Sequence, residues 1–429
     1  MAIMAARMRR AETSLLTALL LAIGLASAGA TAAKPKPTPT PPPAPTNDDC
    51  LACHGDAALK RDNGKALDFS AESYAKSVHG VAGASCTDCH ADLATAELPH
   101  GEKVAPVACA TCHDAQGASY DKSFHAESHR KAAEAKTTSK AALCVDCHGT
   151  HGILPSKDTE SATNHFKLPG TCLKCHGDPK IYKPQPHESG MPTSFADSIH
   201  GRALLKSGLN VAPNCATCHG AHEILRPKDP ASAVNRTKVP STCGTCHSSI
   251  LDLYKAGVHG SALAAGNPKA PTCISCHSAH EVRSAEMAAW KLDVLKECGT
   301  CHEQSLRTYR DTFHGQVTAL GFTRVAACSD CHGPHAIFGS KDPRSTVSDA
   351  NKQKTCQKCH PGVNANFAKY DPHADAHDRQ RNPLLHYTSV FMKTLLIAVF
   401  SFFGIHSVLW FPRSWRERQN AKRNGGGKA

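Results

Sequence analysis

The chain has 429 residues, with 49 Lys+Arg against 37 Asp+Glu, only 5% aromatic residues, and 22 Cys beside 28 His. So few aromatics exclude a large conventional apolar core, and so many thiols exclude a reduced cytosolic domain that lacks a cofactor. The net charge of +12 sits mostly at the ends, +4 on residues 1–46 and +5 on 411–429, which excludes a nucleic-acid binder with a basic patch on its folded body.

Residues 1–32 read as an export signal. Arg7, Arg9 and Arg10 precede the apolar run Leu15 to Leu25, and small residues follow from Ala28 to Ala33. Residues 33–46 carry KPKPTPTPPPAPT, a run that favours polyproline II and reaches roughly 40 Å at about 3.1 Å per residue. It is a spacer. Residues 47–383 form the cysteine-bearing domain. Residues 384–412 contain the apolar segment Val390 to Phe411, long enough at about 1.5 Å per residue to cross a bilayer as a helix. Lys393 lies near one end of it, and Trp410 and Trp415 at the other. The basic tail 413–429 stays cytoplasmic by the positive-inside rule, so the bulk of the chain lies outside the cytoplasm.

All 22 cysteines fall into Cys-x-x-Cys-His, repeated eleven times. The thiols are Cys50 and Cys53, Cys86 and Cys89, Cys109 and Cys112, Cys144 and Cys147, Cys172 and Cys175, Cys215 and Cys218. Cys243 and Cys246, Cys273 and Cys276, Cys298 and Cys301, Cys328 and Cys331, Cys356 and Cys359 complete the set. Two thiols three residues apart can both add to the vinyl groups on one edge of a haem, and the adjacent histidine then binds the iron. The motif histidines are His54, His90, His113, His148, His176, His219, His247, His277, His302, His332 and His360. Zinc would not demand the histidine, and disulfides would not demand the spacing. The expectation is eleven covalent haems c, and a fold of short α-helices and irregular chain packed around them, plus one C-terminal transmembrane helix.

A longer period underlies the motifs. An aromatic residue, four residues and a histidine recur at Tyr74–His79, Tyr120–His125, Phe195–His200, Tyr254–His259 and Tyr309–His314, and each is followed by two motifs. The units start near 74, 120, 195, 254 and 309, with the Cys50 motif left over at the front. A further histidine lies three residues after the first motif histidine at His151, His222, His280 and His335; Leu93 holds that place in the first unit, and His100 is its substitute. On one helical turn two such imidazoles project to adjacent faces, so the second is expected to reach a neighbouring haem. These ten are candidate distal ligands. The eleventh is open among His129, His165, His187, His373 and His377, with His125 and His129 competing for one position. No catalytic residue is assigned. Iron closed by histidine on both faces suits electron relay.

Over residues 47–360, segments such as DSIHG, CATCHGAHEIL and CSDCHGPHAIF resemble the multihaem cytochromes of the c3-like, paired-CxxCH type. The resemblance implies periplasmic electron transfer through close-packed bis-histidine haems, often in anaerobic respiration. The segment HYTSVFMKTLLIAVFSFFGIHSVLW looks like the first helix of b-type cytochromes in quinol-oxidising complexes. Contact of His406 with haem b or quinone would then need a partner subunit, as would electron supply from the quinone pool; His386 is a weaker candidate for such contact. The expected partners are a membrane cytochrome b or quinol-oxidising subunit, periplasmic or outer-membrane redox proteins and the inner membrane. The competing reading is a multihaem reductase of nitrogen or sulfur oxyanions with one open haem.

Overall fold

The structure is a computed structural model that describes residues 43–56, 58–61, 64, 69–101, 103–181 and 192–425. The export signal, most of the proline-rich spacer and His187 lie outside the described residues. Pro45–Ala429 form one contact unit, and Met1–Ala44 the other, nearly all of it outside the described residues. The described residues contain α-helices and 3-10 turns joined by irregular chain, and no strand element. Most helices are under ten residues.

The recurring spacing within each unit is a set of hydrogen bonds. A serine or threonine two residues before the ligand-type histidine caps its helix. Ser77 accepts from Gly80 N at 3.0 Å, Ser123 from Ala126 N at 3.1 Å, Ser198 from Gly201 N at 2.9 Å and Thr312 from Gly315 N at 3.1 Å. Such caps satisfy a helix-end donor that has no partner inside the helix. In the fourth unit Gly257 takes the place, without a side-chain cap. The glycine after the histidine is a matter of space: a Cβ at Gly201 would lie 1.9 Å from the Phe195 carbonyl oxygen, and one at Gly315 2.1 Å from that of Tyr309.

The aromatic residue of the repeat holds its own first motif. The hydroxyls of Tyr74, Tyr120, Tyr254 and Tyr309 donate to the carbonyls of Ala84, Ala142, Pro271 and Ala326 at 2.6, 2.8, 2.9 and 2.8 Å. Each acceptor lies two residues before a motif cysteine. Where Phe195 offers no hydroxyl, His165 Nε2 lies 3.0 Å from the nearby Ala212 carbonyl oxygen.

Successive units are stitched by backbone. Val78, Phe124, Ile199 and Val258 donate to the carbonyls of Ile153, Ile224, Val282 and Ile337 in the following unit, at 2.7 to 2.8 Å. A second repeat joins the two motifs of three units. Ser161, Ser232 and Ser345, all buried, donate to the carbonyls of Leu154, Leu225 and Phe338 seven residues earlier. The fourth unit lacks this loop and has the helix Ala288–Cys301 instead.

What these contacts do not supply is an apolar interior. The buried hydrophobic side chains among the described residues are Ala126, Leu204, Ala212, Val239, Ala270, Leu295, Tyr309, Val363 and Ala368. Four of the nine are alanines. A body of this length would ordinarily remove far more apolar surface from water, so a large apolar group must fill the interior.

The described residues end in one helix, Pro383–Gly425, longer than the apolar segment alone requires. Residues 390–413 are all exposed, although Leu, Ile, Val, Phe and Trp dominate them. That combination fits a single membrane anchor.

Candidate functional site

The motifs occur in two local forms. The first motif of each unit begins a one-turn helix, and its third residue accepts from the backbone N–H of the residue before the motif: Asp88, Asp146 and Asp330 accept from Ser85, Leu143 and Ala327. Thr217 and Ser275 do the same for Asn214 and Thr272. Three of these turns end at Gly149, Gly220 and Gly333 with φ of +82°, +81° and +80°, where a side chain would be strained. The left-handed residue breaks the helix directly after the motif histidine. The expectation that His148 and His151 share one helical turn is therefore corrected, and the same holds for the pairs ending in His222 and His335. In four units the second motif instead lies at the end of a helix, as in Leu168–His176, whereas in the first unit it begins the 3-10 turn Cys109–Thr111.

Each of the eleven motif histidines faces one histidine from outside the motifs. In the first-motif class the ring centroids lie 5.7 Å apart for His54–His100, 6.3 Å for His90–His151 and 6.1 Å for His148–His222. They lie 5.9 Å apart for His219–His280, 6.1 Å for His277–His335 and 6.2 Å for His332–His373. The second-motif pairs are His113–His79 at 5.9 Å, His176–His125 at 6.2 Å, His247–His200 at 6.1 Å, His302–His259 at 6.2 Å and His360–His314 at 6.0 Å. No histidine is used twice.

That spacing has a chemical meaning. A metal–imidazole bond of about 2 Å on each side separates the nitrogens by about 4 Å and, with the ring radii added, the centroids by about 6 Å. Two neutral imidazoles in direct contact have no comparable reason to adopt one distance eleven times. Burial favours the form that metal binding needs at several of the motif rings. Burial pushes the pKa of His90, His148, His277 and His332 down, with the partner imidazole adding to it. His219, the most enclosed, is pushed down to about 4 by burial and then by His280. Neutral imidazole is the ligating form.

The pairing follows the repeat. A histidine at the aromatic spacing meets the second motif of its own unit, as His125 meets His176. A histidine three past a first motif meets the first motif of the preceding unit, as His222 meets His148. His100 serves the leading motif. After the last unit nothing remains to supply His332, and His373 takes that place from the segment before the anchor. Thr308 Oγ1 lies 3.0 Å from His373 Nδ1, leaving Nε2 for a metal. Arg307 pairs with the buried Asp375 at 2.5 Å, holding the same segment.

His129 and His377 do not join this set among the described residues. His129 lies one turn beyond His125, and its Nε2 faces the Ala141 carbonyl oxygen at 2.9 Å. His377 follows Asp375, to which its backbone N–H donates at 2.8 Å. His165 is occupied by Ala212 and by Asn214, the cap of the Cys215 turn. His386 Nδ1 lies 2.8 Å from the Ala376 carbonyl oxygen, and His406 sits exposed on the anchor helix. The Ser/Thr caps and Thr308 escaped the sequence reading, although the Ser/Thr two before four of the five repeat histidines was a visible signal.

The motifs also form an unbroken line in sequence order. Between units the leading thiols adjoin one another: Cys50 with Cys86, Cys109 with Cys144, Cys172 with Cys215, Cys243 with Cys273 and Cys298 with Cys328. Within units Cys89 adjoins Cys109 and Cys112, Cys147 adjoins Cys172 and Cys175, and Cys218 adjoins Cys243 and Cys246. Cys276 and Cys331 likewise adjoin the motifs of Cys298 and Cys356.

The family model for the doubled CXXCH motif matches residues 322–365, which carry the Cys328 and Cys356 motifs. It supports a multihaem c-type cytochrome. No curated protein and no solved structure matches the chain. The residues present fit covalent haem c: paired thiols, an opposed imidazole at haem-spanning distance, an interior short of apolar side chains, and buried polar atoms without protein partners such as Trp290 Nε1 and Ser278 Oγ.

Proposed function

We propose that this cytochrome carries eleven covalent haems c in a periplasmic domain, tethered to the inner membrane by Pro383–Gly425, and relays electrons in anaerobic respiration. A quinone-linked membrane partner supplies them, and periplasmic or outer-membrane redox proteins receive them. The observation that carries the reading is the one-to-one pairing of eleven motif histidines with eleven others. When bound, haem supplies one-electron redox chemistry at its iron. The chain's own part is to hold each imidazole opposed to its mate, and to keep successive motifs adjacent. Closed coordination of this kind favours a relay over a reductase of nitrogen or sulfur oxyanions, which needs an open position.

The sequence order of the motifs supports a single path with one end beside the anchor, because His373 lies only ten residues before Pro383. His406 lies within the span, where an ionisable side chain is rare without a role. We place it against haem b or quinone held by the partner. The domain boundaries follow: a cleaved signal over 1–32, a spacer over 33–46, the haem domain over 47–383, the anchor over 384–412 and a cytoplasmic tail over 413–429.

Mass spectrometry of the mature chain tests the count, with eleven thioether-bound haems expected and bare thiols fatal to the reading. Anaerobic mixing with a menaquinol analogue in vesicles, with and without the membrane partner, tests the pathway. Reduction only with the partner present is expected. Reduction by the isolated chain would place a quinol site here instead.

A further inference from the structure

The fourth unit departs from its siblings around a single motif. After His277 the chain carries Ser278 at φ +59°, where the corresponding positions are glycines near +80°. The serine-pinned loop is gone, and the helix Ala288–Cys301 brings Trp290 against the motif histidine. The indole lies 5.4 Å from the His277 ring at an interplanar angle of 13°. No other motif histidine stacks on a tryptophan among the described residues.

Among the described residues, three of the five buried side-chain polar atoms that lack a partner belong to this stretch: Thr272 Oγ1, Ser278 Oγ and Trp290 Nε1. Thr272 precedes Cys273, Ser278 follows His277, and Trp290 stacks on His277, so all three flank one haem position. An indole N–H can only donate, and a buried donor without an acceptor is costly. The helix does not leave the indole free to turn away. Arg283 bridges Asp293, three residues past Trp290, at 2.9 Å and Glu281 at 2.6 Å. Leu295 is buried on the same helix.

We propose that Trp290 and Ser278 donate hydrogen bonds to a propionate carboxylate of the haem on Cys273 and Cys276, and thereby raise its reduction potential above those of the haems on Cys144, Cys215 and Cys328. The proposal rests on the reading that this motif holds haem c. A free carboxylate favours the more positive, oxidised iron; donors that draw off its charge weaken that preference. The corresponding motifs have glycine at the Ser278 position and no indole. The eighth position of the line is thus a local sink for electrons.

The test uses the full-length holoprotein and two variants. Trp290→Phe keeps an aromatic ring beside His277 but removes the N–H. Ser278→Gly installs the residue that the sibling units tolerate at positive φ. Haem stoichiometry is first measured by mass, then each protein is titrated potentiometrically with optical and magnetic circular dichroism detection. In each variant about one-eleventh of the amplitude is expected to move to lower potential, with the remainder unchanged. The double variant moves the same component further. An unchanged titration in both fully loaded variants overturns the proposal, as does a shift spread over many components. If Trp290→Phe loses haem at Cys273, Ser278→Gly alone decides. A wild-type chain short of haem would instead defeat the underlying haem reading, a separate and distinguishable result.

Discussion

Replacing His222 with alanine tests the rule that units are joined by borrowed ligands. His222 lies three residues past His219, yet its ring faces His148 of the preceding unit at 6.1 Å with the planes only 13° apart. That separation admits one metal with a bond of about 2 Å to each ring, so the substitution opens one position and leaves the motif histidine in place. The backbone tie between the two units survives, because Phe124 N still donates to the Ile224 carbonyl at 2.8 Å. The dithionite-reduced variant should bind about one carbon monoxide per chain, near one-eleventh of the haem, where the parent binds essentially none. The assay is the ferrous-minus-carbonyl difference spectrum. A second background identifies the haem concerned. With Cys144→Ala and Cys147→Ala added, uptake should vanish, because the opened haem hangs on those thiols. Uptake that persists would place the open position on the Cys215 motif and refute the cross-unit pairing.

The two classes of pair should also differ magnetically. First-motif pairs have interplanar angles of 5° to 36°, and second-motif pairs 32° to 64°. Frozen-solution electron paramagnetic resonance of the oxidised protein should therefore contain rhombic low-spin signals together with strongly anisotropic ones at lower field; a single rhombic class would contradict the geometry. Tyr309→Phe removes a buried hydroxyl that reaches Ala326 at 2.8 Å and Thr318 at 3.0 Å. Thermal unfolding should show a loss of about 1–3 kcal/mol, with the haem count unchanged. Ending the chain at residue 382 should release it from membranes with all haems retained, as judged by fractionation and haem staining; persistent membrane association would argue against the C-terminal anchor.

Within the first unit the histidine substitution His100 for Leu93 was readable from the sequence, because the repeat left a gap and a histidine lay just beyond it. The competition between His125 and His129 was not. Both fall within reach of the same motifs, and only the helix turn started by Ser123 aims one ring at His176 and the other at Ala141. His373 was likewise one of several candidates until Thr308 and the Arg307–Asp375 pair fixed the segment that carries it. The fourth unit shows the same division: a missing loop is visible in the sequence, whereas Trp290 becomes significant only when its ring lies on His277.

By itself the sequence determined the chemistry and the repeat: eleven thiol pairs each followed by histidine, a surplus of further histidines at two fixed offsets, and an apolar segment at the end. Those are covalent and periodic facts, carried by residue identity and spacing. The tertiary structure decided which imidazole faces which, and that the motifs run in unbroken order. A facing pair of imidazoles joins residues up to 74 positions apart, as His148 and His222 are. Distance along the chain cannot specify such a partner; the caps, the left-handed glycines and the backbone stitches between units do so by fixing the direction in which each ring points.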